Sequence, residues 1–283
     1  MSWKIKCQNL REKLSPYFKY GFTLEKKFPP SSIFYSRRGA YQRYEELYNQ
    51  HVEQQHRQWA HLSSALNSLD IGTSDVPLAS IDRYAKTLQV SIKASDPNWV
   101  HGYVLWSLAK HVFGNTPEGF WLEIGTAKGF SAAVIDLAVR TASACNRGIS
   151  IDVLPHGVPM YWNSMADSKG QCSRRELLQV LGVNCNNILF LQQYSERAAS
   201  VVGVSRIPMA FIDGQHTYEA VANELLWVTG VQNSGDWLLI DDCNRDLFPG
   251  VALAVSEVQK AENYVVNHLD LGGGREMALC RKK

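Results

Sequence analysis

The sequence predicts an α/β protein built on a mainly parallel, seven-stranded sheet, with a helical appendage ahead of it. Two observations carry that reading. From about Trp121 onward, short apolar runs alternate with helical patterns at near-regular spacing, as they do in domains that wind helices between parallel strands. The first run, Phe120-Trp121-Leu122-Glu123-Ile124, ends in the two-glycine turn Gly125-Thr126-Ala127-Lys128-Gly129, which opens a helix. Glycine lets backbone pass close to a ligand where a Cβ would clash, and the first N–H groups of the helix aim into the same space.

Seven strands are expected at 120–125, 148–152, 187–191, 209–213, 237–241, 264–271 and 276–280. The last two are joined by Gly272-Gly273-Gly274, read as a hairpin turn and not as a phosphate loop, because no helix follows it. Helical periodicity covers 130–144, 176–181, 195–202, 218–229 and 251–261, with Asn146/Arg147, Gly182 and Gly230 as stops. Crossovers of this length give parallel neighbours. Residues 97–113 have the pattern of an amphipathic helix leading into the first strand, ended by Gly114-Asn115 and Pro117.

Residues 1–95 lack this alternation and form a helical appendage to a main domain at 96–283. Its long helix, from about residue 40 to 66, places Tyr41, Tyr44, Leu47, Tyr48 and His51 on one face. That face is expected to dock on the core or on a second copy of the chain, in preference to serving as a substrate lid.

At 283 residues the chain is long enough for a full core. Net charge is only +2, and basic residues cluster no further than the pairs Lys26-Lys27, Arg37-Arg38 and Arg174-Arg175 and the final Arg281-Lys282-Lys283, so no extended nucleic-acid footprint is expected. The default partner is a small molecule. Six scattered cysteines without a C-x-x-C pair read as reduced thiols. No apolar segment stands behind Lys4 and Lys6, and none approaches the roughly 20 residues of a membrane helix. A soluble cytoplasmic protein without membrane contact is expected.

The glycine turn reads as a cofactor loop, with Gly125, Thr126, Ala127, Gly129 and Ser131 lining a ligand and Glu123 approaching its amino group or a nearby water. Its spacing, Glu-x-Gly-x-x-x-Gly, departs from Gly-x-Gly-x-x-Gly, so a dinucleotide pyrophosphate is the weaker reading. Asp152, at the end of the second strand, is placed to accept both hydroxyls of a ribose; capping a turn before Pro155 is the alternative. Ser195 either caps its helix or meets an adenine edge.

Asp213 ends the fourth strand, and Asp241 and Asp242 end the fifth, which brings three carboxylates to one edge of the sheet. Such a cluster either protonates in part or binds a cation, and all-oxygen ligation suits a hard ion such as Mg²⁺ or Ca²⁺. Zinc is disfavoured, since no cysteine or second histidine is obviously nearby. His216 lies three residues beyond Asp213, near the start of a helix whose positive end favours the neutral imidazole that a general base needs.

The runs Leu-Glu-Ile-Gly-Thr-Ala-Lys-Gly-Phe-Ser at 122–131, Phe-Ile-Asp-Gly-Gln-His-Thr-Tyr at 211–218, Leu-Ile-Asp-Asp at 239–242 and Pro-Gly-Val-Ala-Leu-Ala-Val at 249–255 share an order and spacing. They resemble the metal-dependent class I S-adenosylmethionine O-methyltransferases, the group that includes macrocin O-methyltransferase and cephalosporin hydroxylase-like enzymes. The likeness covers about residues 97–283. It implies a Rossmann-like sheet with a reversed final hairpin and S-adenosylmethionine at the first and second strands. It also implies a divalent metal such as Mg²⁺ at Asp213, Asp241 and Asp242, with His216 as base, and a hydroxyl of a sugar or small natural product as acceptor. A metal-independent methyltransferase and a non-catalytic scaffold that keeps the cofactor fold stay open as alternatives.

Overall fold

The structure, a computed structural model, describes residues 37–93, 95–116 and 119–283. The earlier part of the appendage, with Cys7 and the Lys26-Lys27 pair, lies outside the described residues, as does Pro117. Helices α1 (Arg37–Asn67), α2 (Leu78–Leu88) and α3 (Val100–Asn115) come first. They are followed by β1 (Phe120–Ile124), α4 (Phe130–Thr141), β2 (Arg147–Asp152), α5 (Arg174–Val180), β3 (Ile188–Gln192) and α6 (Ser195–Val201). The chain closes with β4 (Met209–Ile212), α7 (Tyr218–Val231), β5 (Trp237–Ile240), α8 (Pro249–Lys260), β6 (Tyr264–Gly272) and β7 (Arg275–Lys282).

One seven-stranded sheet runs in the order β3-β2-β1-β4-β5-β7-β6. Strands β1 to β5 are parallel, and β7 is antiparallel to both β5 and β6. Gly272, Gly273 and Gly274 all have positive φ and make the tight turn that reverses the chain into β7. Strand order switches direction at β1, which pairs with β2 on one side and β4 on the other. In open α/β sheets the crevice beyond the carboxyl ends of the strands at such a point is the usual ligand site.

Successive side chains along a strand face opposite sides, so a sheet covered on both faces needs apolar residues throughout. Trp121, Phe211, Leu239 and Leu279 join a core shared with α1 to α5, whereas Leu122, Ile212, Ile240 and Cys280 join one shared with α6 to α8. Each large apolar side chain so buried contributes about 1.5–3 kcal/mol.

The helical layer at 37–115 is no loosely tethered appendage. Tyr44, Trp59, Leu62 and Leu66 of α1 belong to the same core as α3, α4 and the sheet. Tyr48 stacks on Trp99 at 5.5 Å between ring centroids, so the expected docking face is seated on the domain itself. Tyr41, at its N-terminal end, stays exposed. Helix α2 buries Ile81, Tyr84, Ala85 and Leu88, which fall at i, i+3, i+4 and i+7.

Helix α3 differs from its amphipathic expectation, because twelve of its residues from Val100 to Phe113 are buried. It runs between α4 and α1, so no face of its first three turns meets solvent. The Trp99 side chain at its N-cap makes no capping bond; Asn98 Oδ1 accepts the Val100 N–H at 3.1 Å, and Gln55 of α1 adds a second cap from a distance. The Gln55 Oε1 accepts the N–H groups of Trp99 at 2.8 Å and Val100 at 3.0 Å. Asp82 of α2 accepts the Trp99 indole N–H at 2.8 Å and the Tyr103 hydroxyl, and meets the His56 Nε2 at 2.7 Å. Three helices are thereby tied together through one buried carboxylate.

Candidate active site

The loop after β1 is shaped by a close backbone approach. Gly125 has φ +96°, and a Cβ there would stand 1.9 Å from the carbonyl oxygen of Asp213. Only glycine fits. The same approach, sealed by the Asp213 N–H donating to the Ile124 carbonyl at 2.8 Å, sets the loop directly beside the end of β4. Ala127 also has positive φ, and Gly129 is the N-cap of α4 without a side-chain cap, so the helix start presents backbone to the crevice.

Asp152 holds this loop in place. Its Oδ2 accepts the Ala127 N–H at 2.6 Å, and its Oδ1 accepts the Leu154 N–H at 2.7 Å. The buried Arg174 approaches Asp152 at 3.5 Å while its Nε donates to the Ala127 carbonyl at 2.7 Å. Burial raises the Asp152 pKa against the opposing charge of Arg174. Each carboxylate oxygen keeps a second lone pair, which is what a ribose hydroxyl would use.

Glu123 stands differently from its sequence expectation. It is completely buried, and its two oxygens accept the hydroxyls of Ser131 and Ser150. No face of it is left for a ligand's amino group, so Glu123 braces the loop from behind and Ser131 spends its hydroxyl on that brace. Thr126 continues the chain of hydroxyls, with its Oγ1 2.5 Å from Ser150 Oγ. Ser195 is likewise engaged, donating to Glu224 Oε1 at 2.6 Å, and the N-cap position of α6 belongs to Tyr194. Lys128 leaves the loop in the opposite direction, donating to Ser91 Oγ and, at 3.3 Å, to the Asn163 carbonyl. Burial lowers its pKa to about 7.

Across from the loop, Asp213, His216 and Asp242 converge. His216 Nε2 lies 3.5 Å from Asp213 Oδ1 and 3.3 Å from Asp242 Oδ2. Asp242 reaches inward because its backbone adopts φ +53°, which sends it to the same side as Asp213. The His216 ring packs against Phe248 at 4.7 Å. Burial disfavours the imidazolium, but the nearby carboxylate of Asp213, with those of Asp242 and Asp241, outweighs it and raises the His216 pKa. The neutral imidazole expected from the helix end is therefore not what this cluster favours without a cation. Thr217, not His216, caps α7, and three carboxylates outweigh one helix dipole.

Asp241 does not join this group. It is almost wholly buried, its Oδ2 accepts Arg275 at 3.0 Å, and its Oδ1 accepts the Asp242 N–H at 2.9 Å. The expected ligand trio thus resolves into Asp213 and Asp242 in front, with Asp241 behind as an anchor. Arg275 also lies 3.5 Å from Asp242 Oδ1. Even so, burial and then the Asp241 charge push the Asp213 pKa up. Sequence reasoning missed Arg275 and Arg174. Neither has a motif around it, and each reaches its carboxylate only through a pairing that the fold sets.

A cation is tested by the donor set itself. One ligand atom from each of Asp213, His216 and Asp242 lies within 4.8 Å of the others, and the buried His216 Nε2 has no hydrogen-bond partner. The two carboxylates fit one divalent ion, with the His216 Nε2 beside it. The loop fits a nucleoside carrying an amino acid: glycine-bounded backbone and an uncapped helix start on one side, the Asp152 carboxylate on the other.

This sheet order, with its reversed last strand and a loop site at β1, defines the class I methyltransferase fold. Residues 122–243 match the Methyltransf_24 family model, described as a methyltransferase domain. No curated protein matches the sequence. Among solved structures, the O-methyltransferase TomG from Streptomyces achromogenes, in complex with S-adenosylmethionine and involved in tomaymycin synthesis, is similar at 15% identity and TM-score 0.51. That match covers 80% of this chain and 98% of TomG. A putative O-methyltransferase from Klebsiella pneumoniae is similar at 15% identity and TM-score 0.52, over 80% of this chain and 98% of its own. Cofactor-bound Rv0187 from MTB is similar at 16% identity and TM-score 0.52, over 78% and 95%. Among the described residues, no helix is long and apolar enough to cross a membrane.

Proposed function

We propose that this methyltransferase domain transfers the methyl group of S-adenosylmethionine to a hydroxyl of a sugar or small natural product, assisted by a divalent cation such as Mg²⁺. The observation that carries the reading is the contact between Gly125 and Asp213. It sets a cofactor loop of the right chemistry against a cluster of two carboxylates and an imidazole. The solved O-methyltransferases similar in fold support the same chemistry.

The loop backbone from Gly125 to Gly129 orients the donor, and Asp152 takes its ribose. Asp213 and Asp242 would hold the cation, which lowers the pKa of a bound hydroxyl. His216 Nε2, within 3.5 Å of both carboxylates, accepts the hydroxyl proton, and the two carboxylates stabilise the imidazolium that results. The acceptor oxygen then bonds the methyl carbon while the carbon–sulfur pair returns to sulfur as a neutral thioether. Positioning of the two reactants supplies most of the acceleration, and a well-placed base adds about 10²–10⁴-fold. Asp241, held by Arg275, fixes Asp242 and is a positioning residue.

Arg275 supports a second reading. A fixed guanidinium already offsets part of the carboxylate charge, so transfer could proceed without a metal. The two separate in one experiment: methyl-labelled S-adenosylmethionine is offered with a panel of sugar and phenolic acceptors in Mg²⁺ or in chelator. The metal-assisted reading expects transfer that chelator abolishes and Mg²⁺ restores. Undiminished transfer in chelator selects the second, and absence of both transfer and S-adenosylhomocysteine binding defeats both.

A further inference from the structure

We propose that Cys243, His268 and Glu276 form a second metal site, selective for Zn²⁺ or a similar borderline transition metal, with one coordination position open to the surface. It lies behind the carboxylate cluster and shares no side chain with it.

Three separate elements bring the ligands together. Cys243 follows Asp242 in the loop after β5, His268 lies in β6, and Glu276 is the second residue of β7. The register pairs His268 with Ala278 and Asp270 with Glu276, which makes His268 and Glu276 diagonal neighbours on one face of the hairpin. The Cys243 N–H donates to the Glu276 carbonyl at 2.9 Å and fixes the thiol over that face. None of this is visible along the chain, where the three residues are far apart.

The Cys243 Sγ is 3.6 Å from Glu276 Oε1 and 4.0 Å from His268 Nδ1, and all three ligand atoms lie within 4.8 Å of one another. Tetrahedral Zn²⁺ with its usual bond lengths requires about 3.4–3.6 Å between ligand atoms. One separation already meets that value. The His268 Nδ1 and Glu276 Oε1 are closer, at 2.5 Å, as a pair sharing a proton should be. Replacing that proton by a metal spreads the pair by about 1 Å, within the reach of an exposed imidazole and a flexible glutamate.

The donor set decides the metal. A thiolate, an imidazole and a carboxylate suit zinc, whereas Mg²⁺ demands oxygen ligands. Cys243 is buried, His268 is exposed and Glu276 lies between them, so the site opens on the His268 side. That direction is a cavity of about 410 Å³ lined by His268, Glu276, Arg275, Asn244, Asp270 and the Gly273-Gly274 turn. His268 and Glu276 line that cavity while Cys243 closes the site from the buried side, which leaves a fourth position on the cavity side for water or a small ligand's donor atom, as open zinc sites do. Arg275 lines this cavity and also grips Asp241 and Asp242, so a metal here would stiffen the support of the acceptor cluster.

Chelator-treated, reduced full-length protein is titrated with Co²⁺ and then Zn²⁺ by absorption spectroscopy. The proposal expects one thiolate-bound Co²⁺ per chain, with a thiolate-to-cobalt charge-transfer band and tetrahedral d–d bands, displaced by Zn²⁺ and not by excess Mg²⁺. Cys243→Ser should remove the charge-transfer band. His268→Gln, at an exposed position where misfolding is no concern, should weaken Co²⁺ binding by tenfold or more. Asp213→Asn, on the other cluster, should leave the band intact. A wild-type protein without the band, or a band that survives both Cys243→Ser and His268→Gln at full affinity, overturns the site.

Discussion

Two carboxylates two positions apart in the sheet register, Glu123 on β1 and Asp213 just after β4, have opposite fates. Glu123 pairs opposite Phe211, has no exposed surface, and has both oxygens satisfied by serine hydroxyls. The Asp213 side chain is 30% exposed and faces the His216 Nε2 at 3.5 Å, with the Asp242 carboxylate on the other side of that nitrogen. Full burial behind two serine hydroxyls makes the first a structural brace, because no part of it is open to a ligand. Unfilled acceptors make the second a site. The difference lies in what surrounds each acid, not in its place at a strand end.

The largest test of this contrast is Asp213→Asn. Methyl transfer should fall by about 10²-fold or more, the size of a lost base partner or metal ligand. Its melting temperature should hold or rise, since a repelled carboxylate is removed. Gly125→Ala should act on the fold instead: a Cβ 1.9 Å from the Asp213 carbonyl at positive φ must displace backbone, at a cost of about 2–5 kcal/mol in urea unfolding. Near-wild-type stability there would mean that the loop and β4 are not in the contact described.

Glu123→Ala should cost roughly 1–3 kcal/mol by leaving the Ser131 and Ser150 hydroxyls without their acceptor. A variant that loses turnover at unchanged stability would move Glu123 from brace to ligand site. A pH-dependent effect concerns Lys128, whose pKa burial lowers to about 7 from about 10.4 in an unfolded chain. The unfolded state binds the extra proton between those values, so this group makes stability rise with pH from about 7 to 10, by up to about 1.4 kcal/mol per unit. The wild-type slope minus that of Lys128→Met should show this rise; a flat difference would place the ammonium in solvent.

The strand and helix periods were legible in the sequence because apolar alternation and glycine stops are local signals. So was the convergence of Asp213, His216 and Asp242, since strand ends of a parallel sheet share one edge. What was not legible depended on register or on side-chain direction. Asp241 and Asp242 are adjacent in sequence, but only the left-handed backbone at Asp242 shows which of them faces the site. Arg275 and the Cys243, His268 and Glu276 group depend on the antiparallel pairing of β7 with β5 and β6. Helix α3 reads as amphipathic by itself, but α1 packs over its outer side.

The account's central claim is that the donor loop and the carboxylate cluster are two halves of one methyl-transfer site. It is tested most directly by measuring, on the same preparations of wild type and Asp213→Asn, the affinity for S-adenosylhomocysteine by calorimetry and the rate of labelled methyl transfer to a hydroxyl acceptor in Mg²⁺. The account predicts micromolar-range or tighter binding that differs by less than about tenfold between them, or about 1.4 kcal/mol, with transfer present in wild type and lost in the variant. Equal transfer by both proteins, or no binding by either, would contradict it.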